Sequence, residues 1–194
     1  MWDYPPGATL IDADEANGLI PQHITTQRQL NEWEQNNILM TEQWVSNQRF
    51  EIANIATSEF VKQIHVKMFN KTWRWAGQFR KTNKNIGVDW PLVSVELKIL
   101  LDDVQYQAEN NIYPKDELAA RFHHRLVAIH PFPNGNGRHA RMMADIMLIA
   151  LGCSRFSWGS NSLAESSPVR KLYIEALREA DRMNYEKLIT FVRD

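Results

Sequence analysis

The stretch His130-Pro131-Phe132-Pro133-Asn134-Gly135-Asn136-Gly137-Arg138-His139-Ala140-Arg141 concentrates more special residues than any other part of the chain. A histidine ends an apolar periodic run, and two glycines then flank Asn136, a pattern typical of a tight turn whose backbone N–H groups face inward. A helical pattern follows at once, and Arg138 and Arg141 lie three residues apart on one face of it. Because unpaired N–H groups and the helix dipole both attract negative charge, this helix start is predicted to bind an anion.

The two arginines indicate that the anion carries more than one phosphate. His130, at the rim of the turn, is a candidate general base. The chemistry that these residues predict is attack on a bound polyphosphate. A helix C-terminus favours a protonated imidazole, so we expect activity to rise with pH as His130 becomes neutral. Arg155 and Arg170 lie outside this motif and offer control positions.

Two other interpretations of the stretch stay open at this point. The glycines could serve only a connection between two helices, although that would not explain the histidine, the asparagine and the arginines together. A metal site is the second alternative, because histidine is a common metal ligand; no carboxylate or thiolate accompanies the histidines in the motif. The histidines concerned are His123, His124, His130 and His139.

The composition excludes several classes of protein. The 194 residues carry a net charge of −1, so no basic field favours nucleic acid, and direct nucleic-acid binding is not expected. The single cysteine excludes an internal disulfide. The first residues lack the basic and apolar segments of a secretory signal, and the longest apolar run, 142–151, is too short to span a bilayer. We therefore expect a cytoplasmic protein without a membrane partner.

Periodicity predicts an all-α bundle with one extended excursion. Thr26 and Gln29 form a capping box, and Ser94 and Asp116 are expected to cap two later helices. A helical run covers 50–72. His65 lies beside the apolar stripe of this run and is expected to be a histidine at its edge.

Two further features complete the predicted organisation. Gly77 is expected to end the run over 50–72. The segment 80–92 has no helical stripe, and its polar β-formers around glycine indicate an extended flap or a small β-hairpin, with a plain surface loop as the alternative. We expect an N-terminal arm over 1–25 and a single domain over 26–194.

The stretch over 130–141 resembles the signature of the Fic family, within the Fido superfamily. That signature reads His-x-Phe-x-Asp/Glu-Gly-Asn-Gly-Arg-x-x-Arg, and every fixed position matches except the acid, which is Asn134. WRWAGQFR at 73–80 is similar to the segment before the family's flap, and ELAARFHHRLVAIHPF at 117–132 to the helix before its loop. The resemblance covers most of 50–192. The opening LIDADEANGLIPQHITTQRQLNEWE also resembles the bacterial Fic-domain group called mobile mystery protein B.

This resemblance implies a Fic-type helical bundle with the activity of a protein adenylyltransferase. His130 would deprotonate a Ser, Thr or Tyr hydroxyl of a target protein, and Phe132 would pack inward and fix the loop. Attack would fall on the α-phosphate of ATP, so that AMP is transferred and pyrophosphate released. The ATP phosphates would be cradled and held by Gly135, Asn136, Gly137, Arg138 and Arg141.

The flap, by the same resemblance, would align the target chain through strand addition, which needs only backbone hydrogen bonds. The docking residues would be Lys81, Thr82, Asn83, Lys84, Asn85, Ile86 and Gly87.

Asn134 departs from the family pattern, in which an acid holds Mg²⁺ on the phosphates. A neutral amide oxygen is a poorer Mg²⁺ ligand than a carboxylate, so the metal site implied at this position is weakened. Transfer of another phosphate-containing group, by phosphorylation or another nucleotidylation, therefore stays open, as does a catalytically inactive nucleotide-binding or interaction module.

Regulation also departs from the family pattern. The family's inhibitory helix carries Ser/Thr-x-x-x-Glu-Gly/Asn, but Glu109 is the only glutamate followed by Gly or Asn, and Gln105 precedes it in place of Ser or Thr. This absence leaves room for a regulatory partner in trans. Asp145, one turn beyond Arg141, is expected to form an ordinary helical ion pair with it.

Overall fold

The computed structural model describes residues 12–159 and 168–194, and within these ranges the chain is mostly helical. One isolated bridge, Leu19 to Trp73, is the only β pairing in them. The all-α prediction is therefore confirmed. The helices are α1 (Ala13–Ala16), α2 (Gln27–Ser46), α3 (Ile52–Ile55), α4 (Ser58–Phe69), α5 (Val93–Glu109), α6 (Lys115–Ile129), α7 (Asn136–Ala150), α8 (Pro168–Ala180) and α9 (Glu186–Arg193).

The helices α6 and α7 form a central hairpin, and the loop that joins them is the stretch 130–135. Helix α5 packs on α6, α4 packs on both α2 and α7, and the α8–α9 pair closes the other side of α6. The predicted stripe Leu118, Phe122, Leu126 and Ile129 is buried, with no member more than 2% exposed. Burial of each such side chain contributes about 1.5–3 kcal/mol, which fixes α6 and so the position at which His130 follows it.

The capping box at the start of α2 is confirmed. The Thr26 hydroxyl accepts the Gln29 N–H at 3.3 Å, and the Gln29 side-chain oxygen accepts the Thr26 N–H at 3.1 Å. Two N–H groups without helical acceptors are thereby satisfied at one helix start.

The expected caps at Ser94 and Asp116 are wrong. A 3₁₀ turn over Trp90–Leu92 runs directly into α5, so Ser94 lies inside the helix. Helix α6 begins at Lys115, and the Asp116 carboxylate pairs with Arg193 of α9. The Asp116 side chain therefore forms a long-range ion pair instead of the cap that the local pattern predicts.

The helical run over 50–72 is divided into α3 and α4. Thr57 separates them because its hydroxyl caps α4 by accepting the Phe60 N–H at 3.2 Å. Helix α4 then ends at Phe69, well before Gly77, which adopts φ +80° in the turn that follows. The helix end predicted at Gly77 is therefore wrong.

The β-hairpin predicted over 80–92 is also wrong, because this segment forms bends without strand pairing. The Arg80 guanidinium donates to the Thr82 carbonyl at 2.9 Å and to the Val88 carbonyl, which draws the two ends of the loop onto one cation. The Asn83 side-chain oxygen accepts the Trp90 N–H at 2.8 Å. Side chains therefore form hydrogen bonds with backbone groups that would pair with a neighbouring strand in a hairpin.

The described part of the arm packs against the segment after α4. The Ile20 N–H donates to the Thr72 carbonyl at 2.9 Å, and the Trp75 indole N–H donates to the Glu15 carbonyl at 3.0 Å. Leu10 and Ile11, two apolar residues of the arm, lie outside the described residues. The division at residue 25 stays a prediction. Among the described helices, none combines the length and the apolar character that a membrane span needs.

Candidate active site

The Asn136 side chain holds the loop between α6 and α7 closed through two hydrogen bonds to its backbone. Its side-chain oxygen accepts the Phe132 N–H at 2.8 Å, and its amide nitrogen donates to the Phe132 carbonyl at 2.7 Å. Phe132 is fully buried, as expected. The Asn136 side chain therefore holds the loop together through both its oxygen and its nitrogen.

Gly135 occupies a position that no other residue fits well. Its φ is +78°, and a Cβ added there would lie 2.5 Å from Cζ of Phe69. Gly137 differs, because a Cβ there would meet nothing nearer than Nη1 of Arg141 at 4.0 Å. The first glycine fixes the turn, whereas the second leaves open space beside the helix start.

The start of α7 has the backbone groups that are predicted to bind an anion. The N–H groups of a helix's first turn have no acceptor within the helix, and here that turn begins at Asn136. The N–H of Gly135 donates to the side-chain oxygen of Asn134 at 2.6 Å. The Asn134 side chain therefore lies over the edge of the predicted cradle.

His130 is buried, with 4% of its surface exposed, in a left-handed conformation at the end of α6. Burial and, to a smaller extent, the charges of Arg80 and Lys84 lower the pKa of His130 to about 4, against a hydrogen bond to the Val127 backbone that raises it. The imidazole is thus neutral at neutral pH. The expectation that the helix end keeps it protonated is wrong, because desolvation outweighs the helix dipole.

Arg80 joins the predicted base to the flap. Its Nε donates to the His130 carbonyl at 2.6 Å, and Nη2 donates to the Ile129 carbonyl at 3.3 Å. The cation therefore satisfies the carbonyls at the end of α6 and places positive charge beside the imidazole.

Arg138 is paired with a carboxylate that the sequence motifs did not indicate. Its Nη1 lies 2.7 Å from Oε2 of Glu34 on α2, and Glu34 is only 2% exposed. The other Glu34 oxygen accepts the Trp73 indole N–H at 2.7 Å. Glu34 does not fit the inhibitory pattern, because Leu30 stands four residues before it and Gln35 follows it.

Arg141 lies under α8, with its guanidinium 5.9 Å from the ring centre of Tyr173. Burial lowers the pKa of Arg141, and the charges of Arg138 and Arg170 also lower it. Arg170 is therefore near enough to influence the site electrostatically and is unsuitable as a control. Arg155 is the better control, since it donates to the Ser46 hydroxyl at 2.9 Å and its charge acts on Asp145 instead of Arg141.

Asp145 does not form the ion pair expected with Arg141. Its Oδ1 accepts the Phe156 N–H and the Trp158 indole N–H, each at 3.2 Å. Burial raises its pKa to about 6. Asp145 lines a cavity of about 160 Å³ between α2 and α7, together with Arg138, Arg141 and others.

In the flap, Lys84 is the docking residue with the most enclosed side chain. Its ammonium lies 2.7 Å from Asp12 and 2.6 Å from Glu15, and the side chain is 2% exposed. Ile86 is half-buried, whereas the remaining predicted docking residues are exposed: Lys81, Thr82, Asn83, Asn85 and Gly87.

The four histidines of the metal alternative do not converge. His123 contacts the Tyr173 hydroxyl, His124 the Asp181 carboxylate, and His139 the Val61 carbonyl. Within 12–159 and 168–194, no three His, Cys, Asp or Glu residues are grouped as metal ligands would be.

Comparison with known proteins finds a family match over just under half of the chain. The model of the Fic/DOC family matches residues 55–148, which include α4, the flap and the whole loop–α7 motif. Helix α2 with Glu34, and α8 with Tyr173 and Arg170, lie outside the matched residues.

Curated relatives resemble this chain over a limited stretch. A protein adenylyltransferase Fic of Drosophila grimshawi is 32% identical over 80 residues, which are 39% of this chain and 16% of that protein. A protein adenylyltransferase fic-1 of Caenorhabditis elegans is 35% identical over 81 residues, 40% of this chain and 16% of that one. A Fido domain-containing protein of Dictyostelium discoideum is 41% identical over 70 residues, 36% and 43% of the two chains. The match thus spans less than half of each relative.

Solved Fic domains share the fold over nearly the whole chain. BepC of Bartonella tribocorum, crystallised with AMPPNP, superposes with a TM-score of 0.69 at 20% identity, covering 94% of this chain and 97% of that one. An N-terminal Fic domain from Bartonella quintana with ADP gives 0.69 at 20% identity over 93% and 94%. The overall architecture is therefore that of a Fic domain.

Proposed function

We propose that this protein is an adenylyltransferase that moves AMP from ATP to a hydroxyl side chain of a target protein. One observation carries the proposal: a neutral, buried His130 lies at the rim of a helix start that Arg138 and Arg141 flank. The Fic-family match, the adenylyltransferase relatives and the nucleotide-bound neighbours support it. The resemblance of residues 10–34 supports a place in the mobile mystery protein B group.

The proposed reaction is a balanced displacement at the α-phosphorus. The target hydroxyl oxygen forms a bond to that phosphorus, the bond to the bridging oxygen of the β-phosphate breaks, and pyrophosphate leaves. The hydroxyl proton passes to the His130 imidazole, which is neutral and able to accept it. Arg138 and Arg141 hold the leaving phosphates, and the first N–H groups of α7 support them.

The decisive experiment is labelling of proteins in a lysate with α-labelled or γ-labelled ATP. We expect the α-label to enter protein with the native chain and not with His130→Ala. Transfer of the γ-label alone would favour phosphorylation, and ATP binding without transfer would favour an inactive nucleotide-binding module. Unchanged transfer by His130→Ala would contradict the role given to His130.

The arginines are tested by calorimetry with ATP. Loss of one charge-assisted phosphate contact typically costs about 1.5–3 kcal/mol, so Arg138→Ala and Arg141→Ala are expected to weaken binding by roughly tenfold or more. Arg155→Ala is the matched control, because it removes an arginine that contacts Ser46 instead. Equal ATP affinity in Arg138→Ala and Arg155→Ala would count against the phosphate site.

Asn134 does not fit a site in which the protein itself holds a metal ion. Its amide oxygen is neutral and already accepts the Gly135 N–H. Mg²⁺ is usually held by one or two carboxylates and by substrate phosphates, so we propose that any Mg²⁺ used here is bound mainly by ATP.

Asn134→Asp tests this account of Mg²⁺. The two side chains have nearly the same size, and either can accept the Gly135 N–H. We expect the carboxylate to lower the Mg²⁺ concentration for half-maximal transfer. Weaker ATP binding without any gain in rate would instead show that Asn134 favours the nucleotide by its neutrality.

A further inference from the structure

His65 is a fully buried residue of α4 that connects two loops of the site. Its Nε2 lies 3.1 Å from the Asn134 carbonyl oxygen, and its Nδ1 lies 3.0 Å from the Gly77 backbone nitrogen. Its ring stacks on Phe132 with 3.8 Å between centres. The same imidazole thus contacts the loop before α7 and the turn that leads into the flap.

The two contacts fix the state of the ring. A carbonyl oxygen can only accept a hydrogen bond and a backbone N–H can only donate one, so Nε2 carries the proton and Nδ1 does not. Burial, aided by the His139 and Arg138 charges, lowers the pKa of His65 well below its usual range. Both polar atoms are therefore satisfied only by the neutral ring.

The hydrogen bond to Asn134 sets the direction of a neighbouring donor. In a planar trans peptide, the carbonyl of one residue and the N–H of the next point in opposite directions. Every peptide bond among the described residues is trans, and the Asn134 carbonyl points inward to His65. The Gly135 N–H must then point away from His65, towards the Asn134 side chain that it contacts at 2.6 Å.

We propose that His65 is a positioning residue, which orients the peptide between Asn134 and Gly135 and so aims the N–H donors that bind the nucleotide phosphates. The inference rests on the proposed function, because it assigns the phosphates to this helix start. His65 does not touch the reacting atoms. Through Gly77 it also fixes where the chain turns towards the flap.

Two substitutions separate the two hydrogen bonds of the ring. His65→Gln can place an amide N–H near the position of Nε2 and keep the bond to Asn134. His65→Asn offers its polar atoms near the position of Nδ1, so it can keep the bond from Gly77 and loses the one to Asn134. Both variants remove the aromatic stack, so the stack cannot account for a difference between them.

The measurements are ATP affinity by calorimetry, kcat and KM for labelling, and thermal unfolding. We expect His65→Asn to lose about tenfold in ATP affinity and in kcat relative to His65→Gln, with similar unfolding temperatures and target KM. Equal values for the two variants would overturn the proposal. The control is His124→Asn, a buried histidine that pairs with Asp181 and should leave ATP affinity unchanged.

A spectroscopic test covers the case in which both variants fail to fold. Nitrogen-15 spectra of the labelled native protein should show His65 as the neutral tautomer with its proton on Nε2. A proton on Nδ1, or a charged ring at neutral pH, would overturn the proposal. If the native protein binds ATP but transfers nothing, the proposed function fails, while the contrast in ATP affinity still tests His65.

Discussion

Substitution of Gly135 by alanine is expected to destabilise the fold and abolish ATP binding. The new methyl carbon would lie 2.5, 2.7 and 3.2 Å from three ring atoms of Phe69, which is buried at the end of α4. A left-handed backbone at φ +78° adds about 1–2 kcal/mol for a residue with a side chain. Overpacking of a filled core adds about 1–3 kcal/mol, so the expected loss in the free energy of unfolding is about 2–5 kcal/mol.

Gly137→Ala is the matched control from the same motif. Gly137 lies in α7 with open space around its Cα, and alanine within a helix is favoured over glycine by up to about 1 kcal/mol. We therefore expect unchanged or slightly increased stability. Its ATP affinity is expected to fall only as far as the methyl group obstructs the approach of a phosphate.

Urea unfolding, extrapolated linearly to water, measures both effects. A third variant, Phe69→Leu, removes the ring atoms that Gly135→Ala would clash with. In that background the cost of Gly135→Ala should fall towards the backbone contribution of about 1–2 kcal/mol. The reasoning is refuted if Gly135→Ala costs less than about 0.5 kcal/mol, or if Gly137→Ala costs as much.

Three further perturbations test other parts of the site. Glu34→Gln removes the charge that neutralises Arg138, so calorimetry should show about tenfold tighter ATP binding; weaker binding would mean that Glu34 orients the arginine for phosphate. Because the pKa of His130 is lowered to about 4, transfer rates should be flat from about pH 6 to 8 and fall below about pH 5. A transfer rate that rises across neutral pH would contradict a base that is already neutral there. Stability should fall as the pH drops from about 6.5 to about 4, because in that range the unfolded chain takes up a proton on this histidine and the folded chain does not. Ile86→Pro should impair labelling of the target and leave ATP affinity nearly constant, and the reverse outcome would contradict docking by the flap.

Local pattern predicted those parts of the fold that depend on neighbouring residues. The stripe of α6 and the capping box at Thr26 are set by residues three or four apart, and both are present. The site motif was recognisable for the same reason, since the loop and the first turn of α7 are contiguous. Sequence could place the His130 ring at the loop, but not determine its charge.

The failures involve partners that are remote in sequence. Asp116 pairs with Arg193, and Arg80 contacts carbonyls on both the flap and α6, so neither the cap nor the hairpin formed. Glu34 was missed because its partner Arg138 lies on another helix. The local signal was the spacing of Glu34, which lies four residues after Leu30 and so shares a helix face with an apolar side chain.

The carbonyl contacts of Arg80 divide the flap into fixed and exchangeable positions. Thr82 and Val88 are held through backbone atoms, and a side chain at residue 87 would meet the His130 Cβ at 2.7 Å. The window 84–86 lies between these constraints, and its one enclosed side chain faces the arm. An engineer who wished to redirect the protein to a different target could vary Asn85 and Ile86 and keep Lys84 with its acidic partners, because the charge of Lys84 also lowers the pKa of His130.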